Sequence, residues 1–249
     1  MKIDFPSEKW IPQLKKLWME CFDDPEAFID GFFETGYAPD KCRCIREGER
    51  IVAALYWLDA EFHGQKLAYL YAVATDPGFR GRGLCRSLMS DTHRLLKTRG
   101  YAASLLLPGE PVLRLMYEKM GYRNCCQTEE FSCTPGEAVK IKEIDWEEYA
   151  SLRPGFLPEN GANQEGLLFL STYSRFYRGE DFLLICAKDG KQLLGLELLG
   201  EKKAAPGILT ALNCKSGSFR CPGQGKQMAM LLPLREGLAV PEYFGLTFD

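Results

Sequence analysis

The stretch TDPGFRGRGLCRSL, residues 75–88, carries three arginines and three glycines between an apolar run and a predicted helix. An acidic chain of net charge -3 concentrates cations at one turn mainly where an anion docks. Glycines let such a ligand approach the main chain, and the first turn of a helix offers unpaired N–H groups and a positive dipole end. The pattern suits a pyrophosphate, although a solvated basic turn with a glycine cap explains the loop alone equally well.

Two other anion-binding loops fail on spacing. Gly78 and Gly83 have the glycine separation of a P-loop, but Leu84 and Cys85 replace its lysine and hydroxyl residue. A dinucleotide fingerprint starting at Gly81 has Arg86 at its third glycine. These substitutions argue against an NTPase and against a dinucleotide enzyme.

The elements around the loop predict an α+β domain over residues 1–135. Apolar spacing predicts two helices between Pro6 and Phe33, and alternation predicts an antiparallel meander of three strands over 42–75. A crossover helix, a buried strand, a further helix and a last strand follow, punctuated by Gly100, Pro111 and Gly121. We expect a mixed sheet flanked by helices.

A second, smaller α+β domain is predicted over residues 136–249, after a linker at 134–138. The two halves of the chain share too little sequence to establish a repeat, so the second domain as a degenerate copy of the first stays a hypothesis. The predicted elements are helices at 146–152 and 163–177, strands within 181–200, a helix near 206–212, and strands near 227–234 and 243–248.

Composition narrows the class of protein. A chain of 249 residues with 46% hydrophobic residues and no long apolar run predicts a soluble, cytoplasmic protein rather than a membrane protein. The pI near 5.6 argues against nucleic acid as a partner. The spacing of the ten cysteines and two histidines gives no paired zinc motif, so we expect reduced thiols and no bound metal. The oligomeric state stays open.

The segments YLYAVATDPGFRGRGLCRSLM and LLLPGEPVLRLMYEKMGYR together resemble the GCN5-related N-acetyltransferases, the GNAT superfamily. The resemblance covers roughly residues 3–133 and includes the [QR]-x-x-G-x-[GA] loop, with Cys85 at the final Gly/Ala position. It implies a GNAT-like sheet, acetyl-CoA as co-substrate, and a two-domain member with an additional C-terminal domain. The implied acetyl-CoA site comprises Val73, Thr75, Arg80, Gly81, Arg82, Gly83, Leu84, Cys85 and Arg86.

The resemblance also implies catalytic roles. The N–H of Val73 becomes the candidate oxyanion donor, and Tyr117 the candidate acid that protonates the departing thiolate. Tyr117 also belongs to an apolar helical stripe, which is the alternative explanation for it. Some two-domain relatives place a C-terminal carboxylate in the active site, which makes Asp249 a candidate base.

The expected activity is therefore transfer of an acetyl group from acetyl-CoA to a primary amine by direct attack. The acceptor, a small molecule or a peptide, is not identified by the sequence. The alternative is a non-catalytic acyl-CoA sensor or interaction protein on the same fold.

Overall fold

The computed structural model describes residues 1–162 and 164–248 and confirms the predicted α+β class. The first half follows the predicted order, with a short unpredicted strand at its start. Its elements are β1 (Lys2–Asp4), α1 (Ile11–Cys21), α2 (Glu26–Thr35), β2 (Cys42–Glu47), β3 (Arg50–Phe62), β4 (Gln65–Thr75), α3 (Leu84–Thr98), β5 (Ala103–Leu106), α4 (Pro111–Glu118) and β6 (Arg123–Cys133).

The second half matches its prediction less closely. Its elements are β7 (Lys142–Ile144), α5 (Trp146–Leu152), β8 (Asn160–Ala162), α6 (Gln164–Tyr173), β9 (Arg175–Arg178), β10 (Phe182–Asp189), β11 (Gln192–Gly200), α7 (Ala205–Ala211), β12 (Ser216–Pro222) and β13 (Lys226–Pro233). The helix predicted over 163–177 stops at Tyr173, because Arg175–Arg178 pairs with β10 instead. Asn163 lies outside the described residues.

The prediction of a strand over 243–248 is wrong, and the strand Ser216–Pro222 was not predicted. Residues 243–248 are irregular although their side chains are buried. Their backbone groups find other partners: the Tyr243 carbonyl, for example, accepts a hydrogen bond from the Asn160 side chain. Burial of aromatic residues thus imitates a strand pattern without a strand.

The chain divides into two compact units that are interleaved in sequence. One unit comprises residues 1–60, 65–123 and 230–239, and the other comprises 61–64, 124–229 and the segment from 240 onward. The sequence predicts two consecutive domains, 1–135 and 136–249, so the units differ from that division. The difference arises at β6 and β13, each of which leaves its own half of the chain.

The first unit contains the sheet order β1-β2-β3-β4-β5 followed by residues 230–233 of β13. Strands β4 and β5 run parallel, and the other pairs described here, β1 with β2, β2 with β3, and β5 with β13, are antiparallel. Leu88, Met89 and Leu96 of α3 belong to its hydrophobic core. Burial of this apolar helical stripe fixes α3 to its sheet.

The second unit has the strand order β7-β9-β10-β11-β12-β6. Strands β11 and β12 run parallel, as β4 and β5 do in the first unit, and β6 closes the row antiparallel to β12. The two units therefore share one strand order, although each takes its last strand from the other half of the chain. This exchange of β6 and β13 explains why the units are interleaved.

Candidate active site

A cleft of about 750 Å³ lies in the first unit, beside the end of β4 and the start of α3. Strand β5 ends at Leu106, which is paired with Leu70, whereas β4 continues to Thr75, so the last five residues of β4 have no partner in β5. Ala72 interrupts the regular conformation of this part of β4, because its φ is +45°. The predicted site residues that line the cleft are Val73, Thr75, Arg80, Gly81, Gly83, Leu84, Cys85, Arg86 and Tyr117.

The glycines of the loop are required by backbone conformation. Gly81 and Gly83 have φ of +76° and +75°, in the left-handed region that favours glycine. A Cβ on either would meet no heavy atom within 4 Å, so the space beside the loop is open to a ligand. The two glycines therefore shape the main chain and leave room for an anion.

The start of α3 supplies hydrogen-bond donors at this place. Gly83 is the N-cap, and the Ser87 N–H donates to the Gly83 carbonyl at 3.0 Å in the first main-chain bond of the helix. The N–H groups of Leu84, Cys85 and Arg86 precede that bond, in the turn that has no intrahelical acceptors. Together with the dipole of this 15-residue helix they favour a phosphate group.

Asp76 fixes the glycine loop to the sheet. This side chain is 5% exposed. Its Oδ1 accepts a hydrogen bond from the Gly78 N–H at 2.9 Å, and its Oδ2 forms an ion pair with Arg50. The Asp76 N–H donates to the Val52 carbonyl at 3.0 Å. These bonds tie the loop to β3, so the glycines and the start of α3 hold their positions before any ligand arrives.

The three loop arginines are placed differently. Arg80 lines the cleft, and its Nε donates to the Thr75 carbonyl at 3.1 Å. Arg82 donates from Nη2 to the Gly78 carbonyl at 3.2 Å and lies 4.7 Å from the centre of the Phe79 ring, and it does not line the cleft. Arg86 is exposed and lines the cleft. Arg86 is thus the cation best placed to attract an anion.

Tyr117 of α4 is 6% exposed and forms one wall of the cleft. Its ring packs edge-on against Tyr122 with centroids 5.7 Å apart. Burial raises the pKa of the Tyr117 phenol, so the hydroxyl carries its proton at neutral pH. Burial likewise raises the pKa of the neighbouring Cys85 thiol. A thiolate formed in this cleft meets the same poorly solvating surroundings.

Further residues of the cleft come from segments that the loop motif does not include. Three of them, Leu113, Met116 and Met120, share the apolar helical stripe of Tyr117, and this spacing was the one sequence signal for any of these residues. Cys21 ends α1, and its thiol donates to the Thr75 carbonyl at 3.4 Å. The lining residues not predicted are Cys21, Phe22, Ala74, Phe79, Gly109, Glu110, Leu113, Met116 and Met120.

The candidate base Asp249 lies outside the described residues. Within the described ranges, no group of three or more His, Cys, Asp and Glu residues is suitably arranged to hold a metal ion. No helix in the same ranges has the length and apolar character needed to cross a membrane.

In the second unit, the space between the parallel strands β11 and β12 is narrow. Strands β11 and β12 pair over Gln192–Gly195, where Gly195 is opposite Phe219. A Cβ at Gly195 would come within 2.6 Å of the Phe219 ring, which is 1% exposed. The cavity there measures about 150 Å³, and α7 has seven residues and follows no arginine-glycine loop.

Sequence comparison identifies the family to which the domain with this cleft and glycine loop belongs. Residues 2–125 match the family model described as the acetyltransferase (GNAT) domain. Through this domain the chain belongs to the GNAT acetyltransferase superfamily. No curated protein matches the chain.

Solved structures share the fold across both halves of the chain. A probable N-acyltransferase of unknown function from Enterococcus faecalis V583 has a TM-score of 0.72 at 14% identity, covering 94% of this chain and 72% of its own. Eis1 from Mycobacterium abscessus has a TM-score of 0.68 at 11% identity, and the match covers 94% of this chain and 74% of the Eis1 chain. The tandem GNAT protein from the clavulanic acid biosynthesis pathway has a TM-score of 0.58 at 10% identity, and the match covers 95% of this chain and 100% of the tandem protein's chain. At these identities the likeness concerns the fold.

Proposed function

We propose that this protein is an acetyl-CoA-dependent N-acetyltransferase that moves an acetyl group to a primary amine by direct attack. The observation that carries the proposal is the gathering of nine predicted site residues around one cleft beside the end of β4. The glycine loop and Tyr117 face that cleft from two different elements. The acceptor is a small molecule or a peptide.

The pyrophosphate of acetyl-CoA is the anion for which the loop is suited. The N–H groups at the start of α3 would hold it, with Arg86 and Arg80 supplying charge. The pantetheine arm would lie along the part of β4 that extends beyond β5, where Val73 and Thr75 present main-chain groups. The small side chain of Cys85 keeps this approach open.

Val73 and Tyr117 then serve the reaction at the thioester. The amine nitrogen attacks the carbonyl carbon, and the Val73 N–H stabilises negative charge that develops on the carbonyl oxygen. As the C–S bond breaks, the sulfur keeps the electron pair and the Tyr117 hydroxyl donates its proton to it. Bulk solvent or buffer restores the proton of Tyr117.

The amine must lose a proton, and two routes are open to it. The α-carboxylate of Asp249 is our candidate proton acceptor, and an ordered water is the other. The second unit is proposed as a degenerate GNAT-like domain, since it shares the strand order of the first but has Phe219 against Gly195 in the gap.

The test combines calorimetric titration of acetyl-CoA with release of free CoA on a panel of amines. Arg86→Glu should weaken binding by about tenfold, equivalent to about 1.4 kcal/mol. Arg94→Glu is the control, since Arg94 lies on the same helix, is exposed and pairs with Asp91. Turnover with an amine supports the enzyme, whereas tight binding without turnover on the whole panel supports the sensor. Absence of binding contradicts both.

A further inference from the structure

Two adjacent cysteines in the second unit have their sulfur atoms in contact. The Sγ atoms of Cys125 and Cys126 are 3.3 Å apart. Neighbouring side chains of a regular strand point to opposite faces, which would separate these thiols. Cys126 instead has φ of +58°, a left-handed conformation that is uncommon for a residue with a side chain. The local backbone of β6 therefore brings two thiols together at a conformational cost.

The pair borders a cavity of about 410 Å³. Its other walls are the turn at 222–224 with Gln127 and Gln227, and the segment 240–243. Cavities of this size hold small organic molecules. The cysteines are 6% and 4% exposed, so the cavity is the route by which a small reagent reaches them.

The same pair holds the segment that leads to the C-terminus. The Cys126 thiol donates to the Pro241 carbonyl at 3.3 Å, and the next residue, Gln127, donates its N–H to the Glu242 carbonyl at 2.7 Å. All ten cysteines are free thiols. A change at Cys126 is thus transmitted directly to residues 240–243.

We infer that Cys125 and Cys126 form a redox-active dithiol, which a low-molecular-weight disulfide entering the cavity oxidises to a disulfide between adjacent residues. This inference is independent of the acetyl-transfer site, because it concerns other residues in the other unit. Its chemical partner is a small thiol-disulfide couple such as glutathione.

The reaction balances as two exchanges. One cysteine thiolate attacks the small disulfide, forms a mixed disulfide and releases one small thiol. The second cysteine thiolate attacks the protein sulfur of that mixed disulfide and releases the second small thiol. The protein loses two electrons and two protons, and the small disulfide is reduced to two thiols.

Strain makes the product reversible. Adjacent Cα atoms are about 3.8 Å apart across a trans peptide, closer than the usual separation in a disulfide. Strained disulfides are more readily reduced than structural ones. Oxidation also removes the S–H group that bonds to Pro241, so the segment 240–243 loses one of its attachments while the dithiol is closed.

The experiment treats the folded full-length protein with glutathione disulfide, blocks remaining thiols under denaturing conditions, and digests with trypsin and a glutamate-specific protease. Cleavage after Arg123 and Glu129 separates the pair from Cys133 on the same strand. The expected product is a 124–129 peptide lacking two hydrogen atoms and carrying no blocking group. Hydrogen exchange at Gln127 should accelerate on oxidation and return to its original rate with a thiol reductant.

Cys125→Ser and Cys126→Ser should each abolish this product, and Cys133→Ser is the matched control that should retain it. Phenylarsine oxide, which bridges closely spaced thiols, should bind wild-type protein at this peptide and prevent its oxidation. This arm needs no variant, so a variant that fails to fold does not remove the test. Two blocked thiols in peptide 124–129, or a stable mixed disulfide there, would overturn the inference.

Discussion

Arg153 and Glu197 form an ion pair in the interior of the second unit, with 2.9 Å between Nη2 and Oε1 and side chains 4% and 1% exposed. The hydroxyls of Tyr149 and Tyr243 also donate to Glu197, at 2.5 and 3.2 Å, and Arg153 donates to the Asn160 carbonyl. Burial opposes ionisation of Glu197, but Arg153 and these donors hold the pKa of its carboxyl below the usual value. A buried charge of this kind is tolerated because its oxygens are hydrogen-bonded.

Replacing Glu197 by glutamine should destabilise the protein by about 3–5 kcal/mol, because the change leaves the Arg153 charge buried without its counterion. Chemical denaturation measures the loss. Lys142→Met removes one partner of the exposed pair with Glu148 and should cost less than about 1 kcal/mol. Equal losses in the two variants would show that burial of the Arg153 pair is not what matters.

Gly83→Ala should weaken acetyl-CoA binding by about tenfold and lower stability by about 1 kcal/mol, because alanine is strained at positive φ. Gly190→Ala is a matched control. Gly190 lies in the turn between β10 and β11 with φ of +56°, and its Cβ would also meet no atom within 4 Å. Gly190→Ala should lower stability, as measured by thermal unfolding, and leave the affinity for acetyl-CoA, as measured by calorimetry, unchanged. Equal affinity in the two variants would remove Gly83 from the binding loop.

Tyr117→Phe should lower kcat by about 10² or more while acetyl-CoA affinity stays unchanged, because the phenol is the proposed proton donor. Tyr122→Phe is the control: its ring packs against Tyr117, but its hydroxyl contacts Ser104 and His93, at 2.7 and 2.8 Å. It should affect stability rather than kcat. Steady-state kinetics with a fixed amine separates the two cases, and an unchanged kcat in Tyr117→Phe would remove this residue from the proposed mechanism.

The sequence predicted the first half of the fold well because the glycines and prolines that end its helices and strands act locally. Gly100 and Gly121, for example, have φ of +80° and +94° next to the helix ends where they were expected. The exchange of β6 and β13 could not be predicted, because an apolar strand pattern does not name the strand with which it pairs. The residues of β9 continued a helical spacing, and pairing with β10 outweighed that local preference.

The candidate site was predictable to the extent that it is contiguous in sequence. The loop from Arg80 to Arg86 is one motif, and Tyr117 was placed by a second segment of the same resemblance. Cys21 and Phe22 reach the cleft through packing of α1, which no spacing in the sequence encodes. The side chain of Arg82 was equally unpredictable, because its contact with Phe79 depends on how the loop folds back on itself.

His93 should make the protein less stable as the pH falls from about 6.5 to about 4. Burial, with a smaller contribution from the Lys97 charge, lowers the pKa of His93 to about 4. Between these values the unfolded chain binds a proton that the folded protein excludes, so stability is lost as the solution becomes more acidic. The loss at the acidic end is about 3 kcal/mol, and the full contribution is present above the unfolded pKa.

Denaturation curves at a series of pH values measure this loss by comparison with His93→Gln, which should show a shallower decline over the same window. The amide of glutamine also preserves a polar partner for the Tyr122 hydroxyl. His63→Gln is the matched control, because His63 is the other histidine of the chain and its side chain is 43% exposed. Carboxylates that titrate in this range contribute equally to all three proteins, so the difference between the curves isolates His93. Parallel curves for wild type and His93→Gln would mean that His93 takes up its proton in the folded state as readily as in the unfolded chain.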